Sequence, residues 1–451
     1  MTFGYSPQRA GVGPARTGIT SANSSGLRRR VVRIDGVADS TPIQLHAVRV
    51  GGRSRDVVIV TTTYGHTIAL DPGTGSKLWE FTPRDIGTYQ GSHQVTTASP
   101  VADPNRRYVY AASPDGVIHK LAVASGRQVW ASRITLDATR EKIGGALNIT
   151  GPYVVAVTGG YLGDQPVYEG HVALLARGSG HVEHVWNADC SDRHRLIDPP
   201  SSCPADRTFG GSAIWGRQGA VIEPGSGRIL VATGNGPFNG STNWGDSVLE
   251  LSADGSTLLH SWTPVDQAQL NSSDTDLGST APALLPGNLA LQGGKQGVLD
   301  LLDLGRLNGT TGPASSHTGG ELQSLPSPGR GQVLTAPAVW TSGASTYVFV
   351  ADDSGTTAYR LSGGRLHIAW QDGGSGTSPV VAGGLLYVYD PGGTLRVLAP
   401  ATGRTIATLP AAAGHWSSPI VVGGRVILPV GGSPADDARS GTVFIYHLPG
   451  R

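Results

Sequence analysis

The chain predicts an all-β fold, an eight-bladed β-propeller of four-stranded antiparallel blades, on three observations. Short alternating apolar runs are split by Gly, Pro, Asp and Ser turns, a unit of about forty residues recurs, and a Trp often closes it. Clear copies are VVIVTTTYGHTIALDPGTGSKLWEF (Val57–Phe81) and YVYAASPDGVIHKLAVASGRQVWAS (Tyr108–Ser132). The unit returns as YVFVADDSGTTAYRLSGGRLHIAWQD (Tyr347–Asp372) and LLYVYDPGGTLRVLAPATGRTIATL (Leu385–Leu409). A meander of this size cannot bury both faces alone, so the units must stack on one another.

In chain order, residues 1–30 read as an N-terminal extension and 31–451 as a single propeller. RVVRIDG (Arg30–Gly36) is a lone outer strand, predicted to pair with TVFIYHLPG (Thr442–Gly450) and so close the ring without free edges. Six blades begin with a Ser/Thr-Pro type lead-in: STPIQL at Ser40, TASPVA at Thr97, STAPAL at Ser279, LTAPAV at Leu334, GTSPVV at Gly376 and WSSPIV at Trp416. Ala146–Gly160 and Ala213–Gly236 supply two more blades without it. Residues 187–210, 237–246 and 307–331 exceed what a blade needs and read as inserted loops. Only LDATREKIGG (Leu136–Gly145) reads as helical. Trp79, Trp130, Trp186, Trp262 and Trp370, on outer strands, are expected to be blade-docking core.

Composition narrows the function classes. A net charge of +1 gives no electrostatic argument for nucleic acid. No run is apolar and long enough for a transmembrane segment, and the start of the chain shows no export signal. Cys190 and Cys203, the two cysteines, bracket a loop whose size suits a disulfide and an oxidising compartment; two separate thiols are the alternative. H-E-x-x-H and G-x-S-x-G are absent. Asp274 and Asp276 in SSDTDLGS fall short of a calcium-loop pattern.

Residues just before each blade should line the funnel at the hub. These are Asp39, His93, Gln94, Asn148, Trp215, Arg217, Asp276, Gln332, His415 and Trp416. Aromatic planes mixed with polar heads suit a flat polar ligand.

ALDPGTGSKLW and AVASGRQVW resemble the repeats of the pyrroloquinoline-quinone (PQQ) propeller family, also called quinoprotein alcohol dehydrogenase-like, over nearly the whole chain after Val31. That family holds both dehydrogenases and outer-membrane-assembly scaffolds, so the likeness implies a fold before an activity. GGSAIWGRQGAVIEPGSGRILVATGNG is similar to the dehydrogenase branch. The resemblance implies Trp215 as the floor under the quinone, Asn235 as an oxygen donor to calcium, and Lys295, in LQGGKQGVLD, beside the quinone oxygens. The chain departs from that branch elsewhere. The neighbouring Cys pair is missing, and the general-base Asp aligns with Ser241, leaving Asp246 as the substitute catalytic candidate. Glu169 is the nearest match to the calcium-binding Glu.

These readings imply an extracytoplasmic ligand-binding or protein-scaffold module without dehydrogenase activity, with a small molecule or a protein partner at the propeller face. The alternative is a PQQ- and calcium-dependent dehydrogenase oxidising an alcohol or sugar.

Overall fold

Eight four-stranded antiparallel sheets follow one another along the chain. In this computed structural model residues 2–162, 167–198, 203, 210–308, 318–432 and 440–450 are described, so the 187–210 and 307–331 loops lie partly outside the described residues. Seven sheets are simple meanders: blade 1 spans Ile43–Phe81, blade 2 Val101–Arg133, blade 3 Asn148–Asn187 and blade 4 Val221–Trp262. Blade 5 spans Ala283–Pro326, blade 6 Ala338–Asp372 and blade 7 Val380–Pro410. Blade 8 takes three strands from Ile420–His447 and its outer strand from Arg28–Asp35, which pairs Arg28 with His447 and Asp35 with Ser440. The ring closes as expected, the strand beginning two residues earlier than the pattern indicated.

The core lies in the seams. Each of the eight junctions, including that between blades 8 and 1, has its own buried apolar cluster. Blade 3 packs Val172, Leu174 and Trp186 against Ile229, Val231 and Leu249 of blade 4. Apolar burial distributed in this way holds the ring together.

The recurring Trp docks by one device. Trp79 Nε1 donates to Val123 O of the next blade at 2.8 Å, and its ring lies on Gly126. Trp130 does the same with Arg177 O at 3.2 Å and Gly180, and Trp370 with Pro400 O at 2.8 Å and Gly403. The three glycines have φ of +71°, +81° and +69°, and the ring occupies the space a Cβ would need. Glycine is required there twice over.

Trp186 and Trp262 depart from that expectation. Register places His184 opposite Leu174 and His260 opposite Glu250, where blade 2 has Trp130 opposite Lys120. The two Trp lie two residues further along, on the same strand face, and are 1% exposed. They are core, but not seated on a neighbour's turn glycine.

The lead-ins form a hydrogen-bonded collar at the hub. Thr41 N donates to Ser99 Oγ at 2.8 Å, Thr280 Oγ1 to Thr335 O at 2.8 Å, and Ala336 N to Ser378 Oγ at 2.8 Å. Ser417 Oγ closes the last junction on Ala38 O at 3.1 Å. Proline brings no N–H to satisfy at this crowded point.

The N-terminal extension is structural. Pro7 O accepts from Ile222 N, Ala10 O from Val339 N and Gly11 O from Val381 N, all on inner strands. Tyr5 Oη accepts from Val421 N at 2.6 Å. The chain itself thus packs along the inner strands of the hub. Leu136–Gly145 is a set of turns, one closed by Glu141 N on Asp137 O at 2.8 Å. So short a segment cannot offset helix nucleation. The one α-helix among the described residues is Gln267–Ser272.

Candidate functional site

Trp215 stands at the head of blade 4 on backbone that admits no side chains. A Cβ on Gly159 would lie 3.4 Å from Trp215 Cβ, and one on Gly234 would lie 2.1 Å from Asp276 Oδ1 and 3.3 Å from Trp215 Nε1. The indole is half-buried, with Lys295 Nζ 5.6 Å from its ring centroid. Lys295 arrives from a turn of blade 5 and pairs with Asp276 Oδ2 at 2.5 Å and Asp274 Oδ1 at 3.2 Å. Burial pulls its ammonium down, but Asp276 and Asp274 outweigh this and hold it above its ordinary value.

Behind this pair is a buried polar network. Asp276 Oδ1 accepts Asn235 N at 2.9 Å. Asn235 Nδ2 donates to Leu270 O at 2.9 Å and approaches Asp246 Oδ2 at 3.3 Å, while its Oδ1 is buried without a hydrogen bond. Asp246 is fully buried and accepts Leu277 N at 3.1 Å. Burial pushes its carboxyl well above the usual carboxylate range, against the lowering effect of that bond. Ser241, where the base Asp aligns, is exposed and turns its hydroxyl to Asn239 Oδ1 at 3.1 Å.

The far side of the hub is tied to this one. Arg217, before blade 4, reaches Asp39 Oδ2 at 2.8 Å and Asp39 O at 2.6 Å, before blade 1. His415, before blade 8, places Nδ1 2.9 Å from the same carboxylate oxygen. Blades 4 and 8 are half a turn apart in an eight-bladed ring, so this bridge crosses the axis. Burial would raise Asp39, yet Arg217 and His415 together bring it below its usual value. Burial lowers the ammonium of Lys142, before blade 3, to about 8; the Arg217 charge adds to the fall and Asp39 opposes it. Sequence reading missed Lys142, although the same rule of position applied to blade 3 would have found it.

The remaining candidates scatter. Asn148 is fully buried and donates to Pro7 O at 2.8 Å and Ala220 O at 2.9 Å, anchoring the N-terminal segment. Gln94 donates to Pro114 O at 2.9 Å, His93 meets Tyr161 edge-on at 5.6 Å, and Gln332 is exposed. Trp416 is half-buried, its ring 6.0 Å from that of His415. Glu169, fully buried, accepts Asp189 N at 2.8 Å. Cys190 and Cys203 are joined in a disulfide, and Cys190 N donates to Asn243 Oδ1 at 3.0 Å on the loop leading to Asp246.

These residues fit a planar anion better than they fit a metal. Trp215 offers a ring face, and Lys295 offers positive charge beside it. Among the described residues no group of three His, Cys, Asp or Glu side chains is placed to hold an ion. At this site the orphaned Asn235 Oδ1 suits a cation.

The family described as outer membrane protein assembly factor BamB matches residues 33–200. A quinone-dependent alcohol dehydrogenase subunit from Acetobacter aceti is 26% identical over 199 residues, covering 41% of this chain and 27% of that protein. The chain therefore matches little more than a quarter of that relative's length. Among solved structures, the quinohemoprotein alcohol dehydrogenase of Comamonas testosteroni superposes with a TM-score of 0.71 at 15% identity, over 100% of this chain and 80% of the other. BamB from Moraxella catarrhalis gives 0.53 at 13% identity, over 93% and 99%. In repeat and fold the chain resembles the PQQ-like propellers of the quinoprotein alcohol dehydrogenase-like group. Its relatives include both dehydrogenases and an assembly factor.

Proposed function

We propose that the chain is a ligand-binding propeller that takes a flat, multiply anionic molecule of the PQQ class against Trp215 and does not act as a dehydrogenase. The observation that carries this reading is the convergence of Trp215, Asn235, Asp276 and Lys295, from the heads of blades 4 and 5, on one face of the ring. Trp215 would stack on the ring system, Lys295 would neutralise a carboxylate or quinone oxygen, and Asp276 would hold Lys295 in place. PQQ, when bound, supplies a two-electron acceptor. What argues against alcohol oxidation is the proton acceptor: the position aligned with the base Asp is Ser241, an exposed hydroxyl bonded to Asn239. The dehydrogenase reading keeps one observation in its favour, the buried Asn235 Oδ1 beside two carboxylates. The disulfide supports an extracytoplasmic location.

Titration of the protein with PQQ, with and without calcium, tests the reading by Trp fluorescence and melting temperature. Saturable quenching is expected, weakened about tenfold or more by Trp215→Ala and Lys295→Ala, and partly kept by Lys295→Arg. No dye reduction is expected with alcohols or sugars. Absence of binding at millimolar PQQ would leave the scaffold reading, and calcium-dependent dye reduction would establish the dehydrogenase.

A further inference from the structure

The chain is close to neutral overall, yet one sector of the ring is strongly basic. In each blade the hairpins joining the first strand to the second and the third to the fourth lie at the end away from the lead-ins. At that end blades 1 and 2 carry Arg49, Arg53, Arg106, Arg107 and Arg127, and blade 8 adds Arg28 at the start of its outer strand; all six are exposed. Among the described residues none of the six is in an ion pair. Contacts between hairpins join them into one surface. Arg106 Nη1 donates to His46 O at 3.1 Å across the seam of blades 1 and 2, and the Arg30 guanidinium donates to Gly73 O across the seam of blades 8 and 1. The carboxylates in these hairpins and the adjoining strand ends are already engaged. Asp56 Oδ1 lies 2.7 Å from His46 Nδ1, and Asp71 Oδ2 is 3.4 Å from Arg55 Nη1. Asp103 Oδ2 accepts Tyr110 Oη at 2.7 Å and Arg177 Nη1 at 3.2 Å. Exposed guanidiniums gathered without counter-charges repel one another and are relieved by an approaching polyanion.

The chemistry of the sector selects the polyanion. Guanidinium forks match the paired oxygens of a phosphate. These six sit on separate turns and strand ends spread over three blades, which suits a sheet of headgroups. Sites for nucleic-acid strands combine such charge with open aromatic platforms. Tyr108, the ring next to Arg106 and Arg107, is half-buried, and its face is taken by Lys120 Nζ 4.2 Å from the centroid. Val31 and Val129, near Arg28 and Arg127 in the chain, are 50% and 43% exposed and offer apolar contact at a bilayer boundary.

We propose that the hairpin face of blades 8, 1 and 2 docks on an anionic phospholipid bilayer, its arginines on headgroup phosphates. The lead-in face with Trp215 then points away from the membrane. The docking surface is independent of the Trp215 ligand site and of the reading proposed for it.

The test sediments the intact protein with sucrose-loaded vesicles of phosphatidylglycerol and phosphatidylcholine, and with vesicles of phosphatidylcholine alone. Binding is expected to the first only, and is lost in about 0.5 M salt. Each neutralised arginine should weaken binding about fivefold, so Arg49→Gln combined with Arg53→Gln should lose about twenty-five-fold, with an unchanged melting temperature. Arg84→Gln, an exposed position on the lead-in side between blades 1 and 2, should bind like the parent. Equal binding to both kinds of vesicle, no binding, or a double variant that binds like the parent overturns the proposal. A DNA duplex bound in preference to the vesicles would also overturn it, assigning the face to nucleic acid. So would salt-sensitive self-association without lipid, which would assign the face to the exposed Asp85, Asp274 and Asp353 of a second copy.

Discussion

Replacing Gly180 by Ala should separate the two reasons for glycine under the docked Trp. Gly180 has φ +81°, and a Cβ there would lie 2.7 Å from both Cδ2 and Cε3 of Trp130. The left-handed backbone costs an alanine about 1 kcal/mol. The clash must lift the indole, stretching its 3.2 Å hydrogen bond to Arg177 O, worth about 1 kcal/mol, and disturbing packing worth about 1–2 kcal/mol more. The total is about 3–4 kcal/mol. Two controls isolate the parts. Gly364 has φ +71° with nothing within 4 Å, so Gly364→Ala should cost only the backbone term. Gly178, in the same turn as Gly180, has neither constraint, and Gly178→Ala should be close to neutral. Thermal unfolding of the three variants should rank them in that order, Gly180→Ala lying about 3–4 °C below Gly178→Ala. If Gly180→Ala melts with Gly364→Ala, the ring contact contributes nothing and the docking account fails.

Arg217→Ala should destabilise by about 3–5 kcal/mol, because it strands the buried Asp39 carboxylate; adding Asp39→Leu should recover much of the loss. Asp39 is held below its ordinary value, so its contribution is full above about pH 4 and is lost as pH falls through the folded value. The variant should therefore show a flatter acid limb in melting temperature below about pH 4, and an unchanged limb would refute the cross-hub bridge. Reducing the Cys190–Cys203 disulfide, or Cys203→Ser, should cost about 2–3 kcal/mol for a loop of this length, with the loop on Asn243 loosening first; a reductant-insensitive melt would count against it.

Much of the architecture was legible because it is local. Period-two alternation, turn glycines and the Trp four to seven residues after a turn Gly are set within a dozen residues, and each copy reinforces the others. Cys190 and Cys203 were readable as a pair from their spacing in a chain with no other cysteine. Trp215, Asn235 and Lys295 were singled out by resemblance, and the hub rule found Asp39, Arg217, Asp276 and His415.

The sequence by itself determined the repeating sheets, their number and the ring that eight of them make, since strand, turn and seam are encoded in each unit. Only the tertiary structure decided which lead-in residues meet. Arg217 and Asp39 are 178 residues apart and become partners because the closed ring brings the heads of blades 4 and 1 together at the hub. Lys295 meets Asp276 rather than open solvent, and Trp186 and Trp262 slide two positions from the docking site, for the same kind of reason. Residues 2–13 carry no repeat signal, and their place in the hub follows from backbone groups that inner strands offer only once the ring exists.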